Sequence, residues 1–158
     1  MVTVFVAAVL LAVAVPSFKH AIDSTRLTNT SNALVSDLAY ARVEAASRGV
    51  QVSVAASSGA WNNGWTVIAS AASSSGTPER LRVHPAVDGE TAISITASGG
   101  SGDTVVYTPQ GTLNTLTKLC FFIQRTGDSH IDPVYINLSQ SGALRSQRVK
   151  SGETPTCS

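Results

Sequence analysis

The chain opens on fifteen residues, Met1 to Val15 (MVTVFVAAVLLAVAV), with no charge among them. A run of this kind must leave water, and three arrangements would let it. A transmembrane helix needs about 20 apolar residues to cross roughly 30 Å of hydrocarbon. Fifteen helical residues rise only about 22 Å, so the run is about five or six residues short. A cleaved signal peptide fits the length, with Ala12-Val13-Ala14 as its cleavage site. Against that, no Lys or Arg precedes the apolar core, and the first basic residue is Lys19. The third arrangement is a helix buried in a globular core.

The residues beyond Val15 favour the first arrangement. Leu27, Leu34, Leu38, Ala41 and Ala45 recur at spacings of seven, four, three and four, one face of an amphipathic helix. Lys19, Asp23, Arg26, Asp37, Arg42, Glu44 and Arg48 mostly fall off that stripe. Arg48 then Gly49 makes a basic last turn and a glycine stop. Only Pro16 interrupts the pattern, and a proline inside a helix removes one hydrogen bond and bends it. The expectation is one helix from Met1 to about Arg48, kinked near Pro16, apolar first and amphipathic afterwards. Cleavage after Ala14 would discard that continuity.

Of 158 residues, 43% are hydrophobic and 13% charged. That is too apolar for a disordered chain and low in charge for a cytosolic enzyme. The length suits one compact domain plus an appendage. The net charge of +1 gives no global case for binding nucleic acid, which would have to come from a local patch. Cys120 and Cys157 are the two cysteines. An even pair in a chain with an apolar leader favours one disulfide in an oxidising compartment, with two buried thiols as the alternative. No Cys-x-x-Cys or Cys/His cluster suggests zinc.

After Gly49 the period changes to two. Val50, Val52 and Val54 alternate with Gln51 and Ser53. Further strands are expected at Trp65 to Ala69, Arg80 to Val83, Thr91 to Thr96, Thr104 to Tyr107, Lys118 to Gln124 and Val134 to Leu138. Turn signals separate them, among them Asn62-Asn63-Gly64, Asp88-Gly89 and Pro109-Gln110-Gly111. Short strands with regular turns imply an antiparallel, sandwich-like domain. With one helix laid against it, the fold class is α+β.

The residues offer little chemistry. His20, His84 and His130 are scattered. Asp128-Ser129-His130-Ile131-Asp132 places three possible ligands at alternate positions, but a calcium loop would also need a glycine at the turn and a distal bidentate Glu. A solvated loop is the favoured reading, and no metal or cofactor is expected. No Gly-x-Ser-x-Gly elbow occurs, and the glycine-rich Ser98 to Gly102 lacks the lysine of a phosphate loop. An enzyme is therefore not expected. One patch stands out: Arg145, Arg148 and Lys150 lie between Gly142 and Gly152 with no acid among them. Arginines near a glycine turn can hold phosphates through paired N–H donors.

MVTVFVAAVLLAVAVPSF resembles the N-terminal helix of type IV pilin-like proteins after their Phe-Thr-Leu-Ile-Glu-Leu opening, with Pro16 as the family's kinking proline. Leu27, Asn32-Ala33-Leu34-Val35, Leu38, Ala41-Arg42-Val43-Glu44-Ala45 and Arg48-Gly49 are similar to the GspH/FimT branch. So are Trp61, Gly64 and Trp65, as a Trp-x-x-Gly-Trp strand entry, and Tyr107-Thr108-Pro109-Gln110-Gly111, as an aromatic-x-Pro-x-Gly turn. Cys120 and Cys157 resemble the C-terminal disulfide of FimT- and FimU-type pilins. The family's peptidase glycine and helix-start Glu are absent, so the expectation is a chain beginning at an internal Met, short of its true leader.

The resemblance implies a non-enzymatic minor pilin or pseudopilin of a type IV pilus or type II secretion filament. Residues 1–20 would be the transmembrane and filament-core part, 21–49 the amphipathic helix and 50–158 the β-rich domain. Its partners would be other pilins, met through the N-terminal helix, and the inner membrane before assembly. The chain would cross that membrane once, with its domain in the periplasm. Related pilins of transformable bacteria bind DNA through a C-terminal Gly-Arg-x-Arg motif. Here the match is Gly142-Ala143-Leu144-Arg145, with Ala143 in place of the first Arg. That makes Arg145, Arg148 and Lys150 candidate DNA contacts. A secreted β-domain with a cleaved leader remains the other alternative.

Overall fold

The computed structural model describes residues 2–71, 76–87, 93–99, 102–114, 119–126, 130–153 and 157, with the backbone alone given for 2–18 and 93–94. One helix, α1, runs from Val2 to Arg48, about 70 Å at 1.5 Å per residue. The expected bend at Pro16 falls within the stretch described by backbone alone. Among the described residues, no helix is long and apolar enough to cross a membrane.

Among the described residues eight strands come after it: β1 (Val52–Ala56), β2 (Trp65–Ala69), β3 (Glu79–His84), β4 (Ile93–Ser98), β5 (Thr104–Tyr107), β6 (Leu119–Arg125), β7 (Val134–Leu138) and β8 (Leu144–Arg148). They form two four-stranded sheets, ordered β3-β2-β1-β5 and β4-β6-β7-β8. Every pairing is antiparallel. The fold class is α+β, a long N-terminal helix packed on antiparallel sheets.

The stripe on α1 is the wall of the core. Leu27, Leu34, Leu38, Ala41 and Ala45 are all fully buried. They meet Val52, Val54, Trp65, Val67, Val105 and Tyr107 from the first sheet and Phe121, Ile123, Ile136 and Leu138 from the second in one cluster. Alternation decides which residues enter it: β2 buries Trp65, Val67 and Ala69 and half-exposes the residues between. Two acids depart from the expected polar face of α1. Asp23 and Asp37 are buried, each against an arginine.

The tryptophans fix the entry to β2. Trp61 packs edge-on against Phe121 with ring centres 4.8 Å apart, and its indole N–H donates to the Gly102 carbonyl at 2.8 Å. Gly64 between them has φ +88°, and a Cβ there would lie 2.3 Å from the His84 carbonyl oxygen. The Trp-x-x-Gly-Trp spacing thus reflects a close approach of two backbone segments that only glycine permits.

Strand β8 lies outside the strands expected from apolar alternation. Its residues Leu-Arg-Ser-Gln-Arg are exposed except for a half-buried Leu144, so no apolar alternation marks it. It exists because it pairs with β7 in unbroken register, from Leu138 opposite Leu144 to Val134 opposite Arg148.

Candidate functional site

The polar groups with distinctive surroundings fall in two places: the junctions of α1 with the sheets, and the C-terminal edge around β8. At the first junction Asp37 Oδ2 accepts the Trp65 indole N–H at 2.8 Å. Its Oδ1 accepts from Arg82 at 2.6 Å. The Arg82 guanidinium also lies 4.1 Å over the Tyr40 ring, and its bond to Asp37 holds its pKa above the usual arginine value. At the second, Arg125 Nη2 lies 3.1 Å from Asp23 Oδ2 as an ion pair. At the third, Arg42 donates from Nε to the Gly111 carbonyl at 2.9 Å and from Nη2 to the Ser141 carbonyl at 3.0 Å. One helical side chain thus clamps the loops after β5 and after β7. A charge placed on backbone carbonyls and buried carboxylates is a fastening.

Cys120 and Cys157 are joined by a disulfide. Cys120 sits on the outer face of the second sheet beside Tyr135, Val149 and Phe122, a small apolar cluster apart from the main core. The Tyr135 hydroxyl donates to Cys120 Sγ at 2.9 Å. Cys157 lies 3.9 Å from the Ser98 carbonyl, so the tail is fastened over this outer face.

Arg145, Arg148 and Lys150 are all exposed, but the strand does not gather them. Successive side chains of a strand point to opposite faces, so Arg145 and Arg148, three apart, face opposite ways. Arg148 turns toward the helix and donates to Thr28 Oγ1 at 2.6 Å. Arg145 stands opposite Asn137 on the outer face. The glycine of the partial Gly-Arg-x-Arg match has a packing duty. Gly142 has φ +78°, and a Cβ there would lie 2.3 Å from the Gly111 carbonyl oxygen.

Of the histidines, His84 stacks flat on Trp65 at 3.9 Å. His20 and His130 are exposed, with ring centres 6.0 Å apart. Asp128 and Ser129 of the considered ligand loop lie outside the described residues. Among the described residues, no group of three or more His, Cys, Asp or Glu is placed to hold a metal. Between α1 and β8 lies a groove of about 200 Å³ lined by Thr28, Ser31, Asn32, Val35, Ser146 and Arg148, among others. Sequence reasoning had no access to it, because it depends on β8.

The profile of the family described as type II transport protein GspH matches residues 30–148, from the middle of α1 to the last residue of β8. The chain belongs to the GspH family. The type IV minor pilin FimU of Pseudomonas aeruginosa is similar over 85% of this chain and 96% of its own, at 25% identity and a TM-score of 0.64. The minor pseudopilin EpsH from the type 2 secretion system of Vibrio cholerae shares the fold over 82% of this chain and 99% of its own, with 12% identity and a TM-score of 0.58. A comparison with curated protein sequences gives no match. As a GspH-family chain, this is a structural subunit of the minor pilin or pseudopilin kind, of a type IV pilus or a type II secretion system. The family implies assembly with other subunits of the same kind.

Proposed function

We propose that this subunit waits in the inner membrane with its β-domain on the periplasmic side, and that α1 then packs among other pilin helices while the β-domain stays outside. The observation that carries the reading is the division of α1. Its contacts with the sheets run from Asp23, held by Arg125, to Arg48, bonded to Glu79. The uncharged run Met1 to Val15 precedes that held portion and requires an apolar environment of its own, first lipid and then neighbouring helices. The test is fractionation of cells producing the chain together with a GspH-family filament system. The chain is expected in carbonate-washed inner membranes, with its domain cut by protease added to spheroplasts, and in sheared filaments. Recovery in the soluble periplasmic fraction of a chain shortened by its apolar leader would support the cleaved-leader alternative instead.

A second reading is DNA contact through Arg145, Arg148 and Lys150. Their exposure with no acid between them favours it. Phosphate contacts carry no sequence information, so binding would be indifferent to sequence, with a logarithmic salt slope no steeper than about −2 to −3. Replacing all three with Ala abolishes duplex binding under this reading; equal binding by the triple variant leaves the structural role alone.

A further inference from the structure

We propose that the open edge of β8 docks an extended segment of another polypeptide whose two carboxylates are separated by two residues. β8 ends its sheet, and among the described residues only β7 pairs with it. The hydrogen bonds at either end of the pairing fix which groups remain outward. Val149 N–H donates to the Pro133 carbonyl and Ser139 N–H to the Ala143 carbonyl. Antiparallel ladders alternate bonded and non-bonded pairs. The bonded pairs between those ends are therefore Tyr135–Gln147 and Asn137–Arg145, and Leu144, Ser146 and Arg148 turn their N–H and C=O groups away from β7.

Exposed edges are normally blunted by bulges, shortening or charge. In the first sheet, β3 carries a register shift against β2 between Val67 and Ile68, and its Arg82 is taken up by Asp37. β8 pairs without a shift over its whole length, and the charges it carries are its two arginines. Like charges directly opposite on paired strands are destabilising, and opposite charges favourable. The edge therefore turns away basic strands and favours acidic ones. Arg145 and Arg148 point to opposite faces, so matching carboxylates must also alternate faces, at positions three apart. A duplex approaching one face of the strand would meet one guanidinium group there, whereas a paired strand meets both. On the inner side the groove between α1 and β8 has no acid among the described residues that line it, and Arg148 spans it to Thr28. Main-chain bonds to the outward groups would supply affinity and the arginines selectivity, as in other strand-addition sites. The inference rests on the filament reading only for the source of the segment, a neighbouring subunit; the edge chemistry stands without it.

The test uses the full chain in detergent micelles and fluorescein-labelled peptides of alternating Thr and Val carrying Glu-x-x-Glu, Glu-x-Glu or Lys-x-x-Lys, read by anisotropy. Glu-x-x-Glu is expected to bind about fivefold or more tightly than the other two. The double variant Arg145→Glu/Arg148→Glu should transfer the preference to Lys-x-x-Lys. Ser146→Pro removes an outward N–H while leaving the β7 ladder intact, and should abolish binding with near-ultraviolet circular dichroism unchanged. If that variant does not fold, the charge swap decides alone. Equal binding of all three peptides, binding of none, or a double variant that keeps the original preference overturns the proposal. Duplex DNA titrated in parallel overturns it too if it outcompetes the Glu-x-x-Glu peptide and needs the same arginines. Failure here leaves the membrane and filament fractionation unaffected.

Discussion

At the scale of single residues, the most consequential ones are those whose spacing looks like a motif and whose role is packing. Gly142 invites comparison with a DNA-binding signature, yet its φ of +78° and its approach to the Gly111 carbonyl require glycine for steric reasons alone. Gly142→Ala is expected to cost roughly 2–3 kcal/mol or more, because backbone strain and a backbone clash coincide. Gly152, with φ +93° and nothing within 4 Å of an added Cβ among the described residues, should cost only about 1 kcal/mol when changed to Ala. Urea melts of both variants check the contrast. Tyr107 is fully buried, and among the described residues its hydroxyl has no hydrogen-bond partner. Burial pushes its pKa well up. Its folded pKa therefore exceeds its unfolded value of about 10, so its contribution to stability is intact below that pH and is lost as pH rises above it. Tyr107→Phe is expected to flatten this alkaline loss and to be neutral or stabilising by about 1 kcal/mol at pH 7, since it removes an unpaired buried hydroxyl. Stability measured from pH 7 to 11 reads both effects. Asp37 illustrates what sequence could not give: a charged residue reads as surface until Trp65 and Arg82, from two other elements, are seen to bind it.

Among the elements, legibility followed apolar pattern. The α1 stripe was readable because Leu27, Leu34, Leu38, Ala41 and Ala45 keep one face over five turns, and β2, β5 and β7 were readable because their buried residues cluster. β8 was not, since an edge strand held by main-chain bonds needs no apolar residues. The groove and the opposed arginines were hidden with it. The helix offers a direct test of which face matters. Leu34→Ala and Leu38→Ala should each cost about 2–5 kcal/mol, as fully buried leucines do. Val43, 64% exposed on the opposite face, should cost less than about 0.5 kcal/mol when changed to Ala. Denaturant midpoints of the three variants decide. A Val43→Ala cost matching the leucines would mean that this face is covered in the protein tested.

For the whole molecule, the two sheets share no strand pairing among the described residues, and α1 with its clamps joins them. The disulfide has a narrower task, holding the tail to β6 across a separation of 37 residues. Chain-entropy reasoning puts its contribution at about 4 kcal/mol. Reduction should lower stability by about that amount and free the tail for carboxypeptidase, with the helix and both sheets retained. Loss of far-ultraviolet signal on reduction would show that the bond instead holds the domain together. The fastenings of α1 also set an order in time. The C-terminal part of the helix meets partners early in the sequence, Trp65 and Arg82 on Asp37. Its earlier part waits for Arg125 on Asp23 and for Arg148 on Thr28, the latter 120 residues away. During synthesis the stretch of helix next to the apolar run is therefore the last to gain its first partner. Pairings this distant place folding in the slow, millisecond-to-second class. A newly made chain thus spends its first moments with that face bare, beside the very segment that seeks lipid.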